Sequence, residues 1–568
     1  MKYSEMKYER PDLTETGKEF KNLVAELKTA ESFESADEAM IKINNLRNSF
    51  DTMRVMAFIN YSLDTNNEQF IKEQDYFDNN VPLFADLTNN YFAALTTSIF
   101  KNNFIEKYGK QLIAISEMVM KSFSPEIVEQ LQKENHLNSE YTKLKASAKI
   151  MFDGKERNLQ ELDPYMESTD RETRKRAFEA YWGFFSDNKE KFDEVYDKLV
   201  ALRNEMAVKL GFRDFIEMGY ARMKRIDYDF EMVKKFRENV KKYLVPLSVK
   251  LREKQMKRIG VDKLMAYDLY IQFSKGNAVP KGDPEWIMNN GKIMYKELSG
   301  ETAEFYDFMM DNDLMDVYSR KGKADMGYCE YISDYRSPYI FANMNGTEDD
   351  ITVLTHEAGH AFQAYSSRDL EFKEYAEPTM ETAEIHSMSM EFLTYPWMNL
   401  FFEVDTDKFK FSHLNNAIYF LPYGVLVDEF QHWVYENPKA APSERNARWS
   451  ELEKVYLPHL DYGENEFLKG GGRWQKQGHI YEAPFYYIDY CLAQICAFQF
   501  WSKAIHKGNG EYKKSLEDYI KLCKAGGSKA FLELVKYANL ESPFEESVMK
   551  RLVGEIEKYI DSIDDREF

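Results

Sequence analysis

The chain has 568 residues, a mass of 67.1 kDa, a formal net charge of −21 and a sequence pI of about 5.1. An acidic surface repels phosphate backbones and makes nucleic acid a poor partner, and 44% hydrophobic with 15% aromatic residues supplies a sizeable core and counts against disorder. No run reaches about 18 apolar residues and the opening "MKYSEMKYERPDLTE" has no apolar h-region, so neither a membrane span nor a signal peptide is expected and the compartment reads as cytoplasm.

Glycine (26) and proline (16) are scarce. At roughly 5% and 3%, against usual shares of about 7% and 5%, they leave no linker at which to cut the chain. Long helices in one continuous body are expected. Four cysteines, at 329, 491, 496 and 523, form no C-x-x-C pair and read as reduced, packed thiols.

From about residue 12 to 270 the pattern is helix after helix. In "DLTETGKEFKNLVAELKTA", Leu13, Phe20, Leu23, Val24 and Leu27 fall at helical spacing. The stretch "DRETRKRAFEAYWGFFSDNKEKFDEVYDKLVALRNEMAVKLG" reads as two or three amphipathic helices ending at Gly211. Near residue 325 the texture changes. "MGYCEYISDYRSPYIFANMNGTEDD" reads as short β-strands with turns. Thr347 is placed to cap the next helix, with Glu348, Asp349 and Asp350 in its first turn. That helix carries "ITVLTHEAGHAFQAYSS", and "TMETAEIHSMSMEFLTYPWM" follows as another. The glycine-rich break "KGGGRWQKQG" (469–478) lacks the phosphate-loop pattern and reads as a hinge or a plain surface loop. Pro484 suits the first turn of the aromatic helix after it.

His356 and His360 stand four apart, so both imidazoles face one side of a helix and can reach one metal ion. Glu357 flanks that position, where a carboxylate can take a proton from a water that zinc has acidified. Gly359 removes a side chain beside the metal helix. For a third ligand, "EPTMETAEIHSMSMEF" offers Glu377, Glu381, Glu384, His386 and Glu391. Glu384 lies 24 residues past His360, room for a turn and a returning helix. Glu384 and Glu391 are seven apart and share a face. The first can bind zinc while the second orients a ligand histidine. His386 points elsewhere.

"HEAGH" followed by "ETAEIHSMSMEF" resembles the M3 metallopeptidase family, which includes thimet oligopeptidase and the oligoendopeptidase F group. "RSPYIFANMNGTEDDITVLTHEAGHAF" and "GHIYEAPFYYIDYCLAQICAFQF" resemble its oligoendopeptidase F and Pz-peptidase branch, and the likeness is specific over about 325–500. The resemblance implies a mainly α, zincin-like body with a small β-sheet beside the zinc helix and a deep central substrate channel. It implies one Zn2+ per chain on His356, His360 and Glu384, with Glu357 as general base. Some relatives carry a third histidine where this chain has Gln363. The expected organisation is an N-terminal helical subdomain over 1–165 and a catalytic region over 166–568, together one body.

Peptide hydrolysis develops an oxyanion that needs donors. The resemblance places a histidine followed by tyrosines near substrate, which here is His479. Tyr487 and Tyr490, three apart on the expected helix, can face one cleft. Tyr486 and Tyr490, four apart, are the competing pair, with Tyr486 otherwise a substrate contact. "YIFANMNGT" is expected to be a short edge strand that pairs with substrate backbone through the stretch holding Asn343, Met344 and Asn345. The expected partners are short peptides, with no nucleic acid and no membrane, and a monomer is the default. The leading expectation is a zinc endopeptidase of oligopeptides. A related carboxypeptidase is the alternative within hydrolases, and a peptide-binding protein with a structural zinc is the alternative outside them.

Overall fold

The computed structural model of the chain describes residues 1–324, 326–506, 509–565 and 568. Asp12 accepts hydrogen bonds from the Thr14 and Glu15 amides and so starts α1 (Leu13–Thr29), whose buried face is Phe20, Leu23, Val24 and Leu27. Ser32 caps α2 (Phe33–Leu63) in the same way. These two helices and those that follow up to residue 122 enclose a small apolar cluster running from Phe20 to Ile113, which Phe372 and Tyr375 join from the later chain. From α3 (Val128–Ala146) onward the residues belong to a second, larger core.

Two features depart from the expected run of helices. Ile150–Phe152 (β1) and Lys155–Arg157 (β2) form an antiparallel hairpin. Its turn is Asp153-Gly154, both with positive φ (48° and 73°), the Asp-Gly pairing that suits a tight two-residue turn. The expected two or three helices after Asp170 are one helix, α4 (Arg171–Lys209), of 39 residues. No proline interrupts it, and a Cβ at Gly183 would meet nothing, so that glycine marks no break. Gly211, at φ 84°, follows its end.

The sheet beside the helix that carries His356 and His360 has the order β3 (Met315–Tyr318), β5 (Ser337–Met344), β4 (Tyr328–Ile332). β5 pairs parallel with β3 and antiparallel with β4. Asn343 and Met344 therefore stand on the central strand, which corrects the expectation of an edge there. The strand's near-continuous burial fits pairing on both sides. The two edges of the sheet are β3 and β4.

β5 leads into α5 (Asp349–Ser366), which carries the two histidines. Thr347 does not cap it. The Asp350 carboxylate accepts instead from the amides of Asn345 (2.9 Å) and Gly346 (2.8 Å), while the Thr347 hydroxyl turns to Asn345 Oδ1. α6 (Met380–Leu393) is buried along nearly its whole length between α5 and a later helix. Gly359 permits this contact: a Cβ there would lie 2.6 Å from both His386 O and Ser387 Cα. α7 (Thr406–Glu436) and α8 (Tyr487–Trp501) complete the surroundings of the site. α8 begins three residues after Pro484, because Phe485 adopts φ 67° and breaks the helical path. Among the described residues no helix is long and apolar enough to cross a membrane. All four thiols are free, three of them buried.

Candidate metal centre and active site

His356 and His360 sit one turn apart on α5, with ring centroids 5.0 Å apart. Their Nε2 atoms lie 3.3 and 3.4 Å from a single atom, Oε2 of Glu384 on α6. One donor atom from each residue falls within 4.8 Å of the others. Two imidazoles and one carboxylate converging on a point are the protein donors that suit a hydrolytic zinc. Burial works against charge here, yet the neighbours outweigh it. Glu384 and Glu391 hold the His356 imidazole well above its ordinary range, and the two histidines hold Glu384 well below its own. Positive charge is what this carboxylate pair demands, so the residues fit a divalent cation.

The far nitrogen of His356 is fixed as well. Its Nδ1 lies 2.7 Å from Glu391 Oε1, which leaves Nε2 free to face the metal position. The other oxygen of Glu391 is 2.8 Å from His413 Nε2, and His413 Nδ1 is 2.8 Å from the Tyr395 hydroxyl. His413 comes from α7 and was not singled out in the sequence.

Glu357 is 7% exposed, and its Oε2 has no hydrogen-bond partner among the described residues. Burial raises its pKa above the ordinary carboxylate range, against the pull of both histidines. The head of β4 adjoins it: a Cβ at Gly327 would lie 3.7 Å from Glu357 Oε1. Burial and Glu357 together push the Cys329 thiol of β4 well up.

Tyr486 and Tyr490 face this cluster. The Tyr486 hydroxyl donates to Glu384 Oε1, and the Tyr490 ring lies 5.0 Å from that of Tyr486. His479 Nε2 is 3.4 Å from the Tyr490 hydroxyl. On its other side, Gln477 decides the tautomer. The Gln477 oxygen accepts from Tyr423 (2.9 Å), so its amide nitrogen donates to His479 Nδ1 (2.8 Å) and the ring proton sits on Nε2. Burial pushes the His479 pKa down to about 4, so the ring is a neutral donor at pH 7. Tyr487 touches His479 edge-on, at 4.9 Å, but packs against Phe420 and Tyr423. The competing pair, four residues apart, is thus the one that meets the carboxylates. Arg225, fully buried, holds the start of α8 by donating to Phe485 O and to Asp489 Oδ1 (2.7 Å).

Asn343 donates from Nδ2 to Ala324 O (2.8 Å) and Met326 O (3.1 Å). With Met344, Asn345, Asp349 and Val353 it lines a cavity of about 170 Å3. The 469–478 turn is tightly packed. A Cβ at Gly471 would meet the Asn446 carbonyl and one at Gly472 the Phe467 ring, so these glycines serve close approach.

A family profile described as Peptidase family M3 matches residues 164–281 and 302–553, and one described as the Peptidase M3 N-terminal domain matches residues 3–123. The chain belongs to peptidase family M3. This M3 chain is 24% identical over 405 residues to oligopeptidase PepF of Bacillus subtilis (strain 168), covering 68% of the chain and 56% of that protein. It is 26% identical over 424 residues to the chromosomal oligoendopeptidase F of Lactococcus lactis subsp. cremoris, covering 70% of the chain and 65% of that protein. The match therefore spans less than two thirds of the length of these curated relatives. Among solved structures, Pz peptidase A with an inhibitor superposes at a TM-score of 0.98, with 53% identity and 100% of both chains covered. Oligoendopeptidase F from Enterococcus faecium superposes at 0.60 with 17% identity, over 97% of this chain and 99% of that one, a likeness of fold alone. The mainly α architecture with small sheets is that of the M3 peptidases.

Proposed function

We propose that this M3 chain is a zinc-dependent endopeptidase of short oligopeptides. One observation carries the reading: a buried carboxylate oxygen without a partner, on Glu357, stands beside the converging His356, His360 and Glu384 and next to the open edge of β4. Zinc, when bound by these three residues, supplies a Lewis acid and a water acidified to a pKa of about 7. Glu357 accepts the proton of the attacking water at Oε2 as the new C–O bond forms. The raised pKa that burial gives Glu357 suits it to hold that proton and then hand it to the leaving amine as the C–N bond breaks. Tyr490 and the Nε2–H of His479 donate to the carbonyl oxygen as it gains charge. Tyr486 keeps Glu384 oriented. An extended peptide pairs with the free edge of β4, which gives affinity with little sequence preference. Free thiols throughout support a reducing compartment, the cytoplasm.

The test is digestion of a mixed set of short peptides by the zinc-loaded protein, read by mass spectrometry, with Glu357→Gln alongside. Internal cuts by the wild type, and a loss of about 10²- to 10⁴-fold in the variant with zinc retained, are expected. Release of single C-terminal residues would replace the endopeptidase reading with a carboxypeptidase one. Equal turnover by both proteins would remove Glu357 as the base.

A further inference from the structure

Phe485 directly precedes Tyr486, and its backbone sets the direction in which α8 leaves. Its φ is 67°, in the left-handed region that is unfavourable for any residue with a Cβ, and the side chain is fully buried. Such a backbone persists only where its surroundings impose it. Three neighbours do so. The Phe485 amide donates to Gln431 Oε1 on α7 (3.0 Å), and the Phe485 carbonyl accepts from Nη2 of Arg225. The ring lies against Gly219, where a Cβ would come within 2.5 Å of it. Arg225 in turn follows Lys224, itself left-handed at φ 55°. Two non-glycine residues of unfavourable backbone thus adjoin a single hydrogen bond.

The same Nη2 also donates to Asp489 Oδ1 (2.7 Å), which accepts from the Tyr228 hydroxyl as well (3.3 Å). Asp489 directly precedes Tyr490. One nitrogen therefore ties the residue before Tyr486 to the residue before Tyr490. Burial and Asp489 raise the pKa of Glu381, one turn before Glu384 on α6, and the charge of Arg225 opposes them. The guanidinium thus serves both helices, that of Glu384 and that of the tyrosines. Its Nε and Nη1 find no hydrogen-bond partner among the described residues, and the group lies over the Tyr220 ring, 4.2 Å from the centroid. A fully buried arginine that uses one nitrogen of three is a weak stabiliser, because desolvating a guanidinium costs about as much as one pair returns. What that nitrogen positions accounts for it better. We propose that Arg225 is a positioning residue for the reaction: by holding Phe485 and Asp489 together, it sets the direction of the Tyr490 hydroxyl that donates to the carbonyl oxygen. The inference rests on the peptidase reading above.

The test is a double-substitution cycle, read by steady-state kinetics on one peptide with the zinc-loaded, full-length protein. Arg225→Lys keeps a charge opposite Asp489 but ends one bond short of the Nη2 position. It is expected to lower kcat about 10- to 100-fold, with KM within about two-fold and zinc content unchanged. On the Tyr490→Phe background the same substitution is expected to cost less than about three-fold, because the hydroxyl it aims is gone. Arg174→Lys is the control. Arg174 pairs with Asp268 (2.8 Å) in a comparably buried contact that holds no residue of the site, and its loss is expected to leave kcat unchanged whatever it does to stability in urea. Full kcat in Arg225→Lys, or a loss of equal size in both backgrounds, overturns the role and leaves an ordinary buried ion pair. If Arg225→Lys fails to fold, Gln431→Met, which removes only the acceptor of the Phe485 amide, decides in the same way. The two readings fail separately. Wild-type cleavage that Arg225→Lys leaves intact removes the positioning role alone. No cleavage by the zinc-loaded wild type removes the peptidase, and the positioning role with it.

Discussion

Glu391 meets His356 at Nδ1, 2.7 Å away, on the side of the ring turned from the metal position. Its second oxygen rests on His413. The carboxylate therefore fixes which nitrogen of His356 is available and how the ring is turned. Glu391→Gln is expected to weaken zinc binding about 10- to 100-fold while His360 and Glu384 stay in place. Competition with a chelator at fixed pH reads this directly, and an unchanged affinity would show that Glu391 does not support the ligand.

Gly359 is where α5 and α6 touch backbone to backbone. Gly359→Ala places a methyl group 2.6 Å from His386 O and Ser387 Cα, atoms that cannot swing aside. α6 must move, and Glu384 moves with it. A loss of about 1–3 kcal/mol in stability is expected, accompanied by substoichiometric zinc. Calorimetry and metal analysis check the two effects, and full zinc loading at wild-type stability would mean that the helices separate without disturbing the site.

The converging set of His356, His360 and Glu384 is legible in the sequence because its signals are local. His356, His360 and Glu357 stand on one predicted helix, and Glu384 and Glu391 share a face of the next. The tyrosines were harder, since their facing depends on where α8 begins. Phe485, at positive φ, moves that start to Tyr487, and Tyr486 and Tyr490 then face Glu384. The hairpin at Asp153-Gly154 did carry a local sign, the dipeptide itself. Strand order carried none. β5 is central because Met315–Tyr318, a stretch without clear alternation, pairs with it from 25 residues away in the Met315–Ile340 register. His413 likewise reaches Glu391 through packing of α7, with no spacing rule to announce it.

The tyrosines separate by substitution. Tyr490→Phe removes a hydroxyl near His479 Nε2 and is expected to lower kcat about 10²- to 10³-fold with little change in KM. Tyr487→Phe, whose ring sits among Phe420 and Tyr423, is expected to stay within a few-fold of wild type. Steady-state kinetics on one peptide suffices. The reverse order would move the oxyanion donor to Tyr487.

Glu167 gives a pH-dependent prediction. Burial, Asp349 and Asp163 raise its pKa to about 8, although a bond from Asn277 opposes them. The folded state favours the protonated form. This contribution is present in full below the ordinary carboxylate pKa and is lost as pH rises towards 8. Glu167→Gln mimics the protonated form permanently. It is expected to leave stability within about 0.5 kcal/mol at pH 5 and to raise it by about 2 kcal/mol at pH 9. Urea unfolding at both pH values measures this, and an equal gain at each would place the cause outside ionisation.

The open edge of β4 is a hazard in most proteins, because an unpaired strand is a template for sheets that grow from molecule to molecule. Here its head, at Met326 and Gly327, lines a cavity bounded by α3 and the turn before His479. In the proposed reading, this exposed backbone takes as its added strand a chain that has not folded. Folded proteins have already spent their amides and carbonyls on one another, and in that reading they have no free strand to bring.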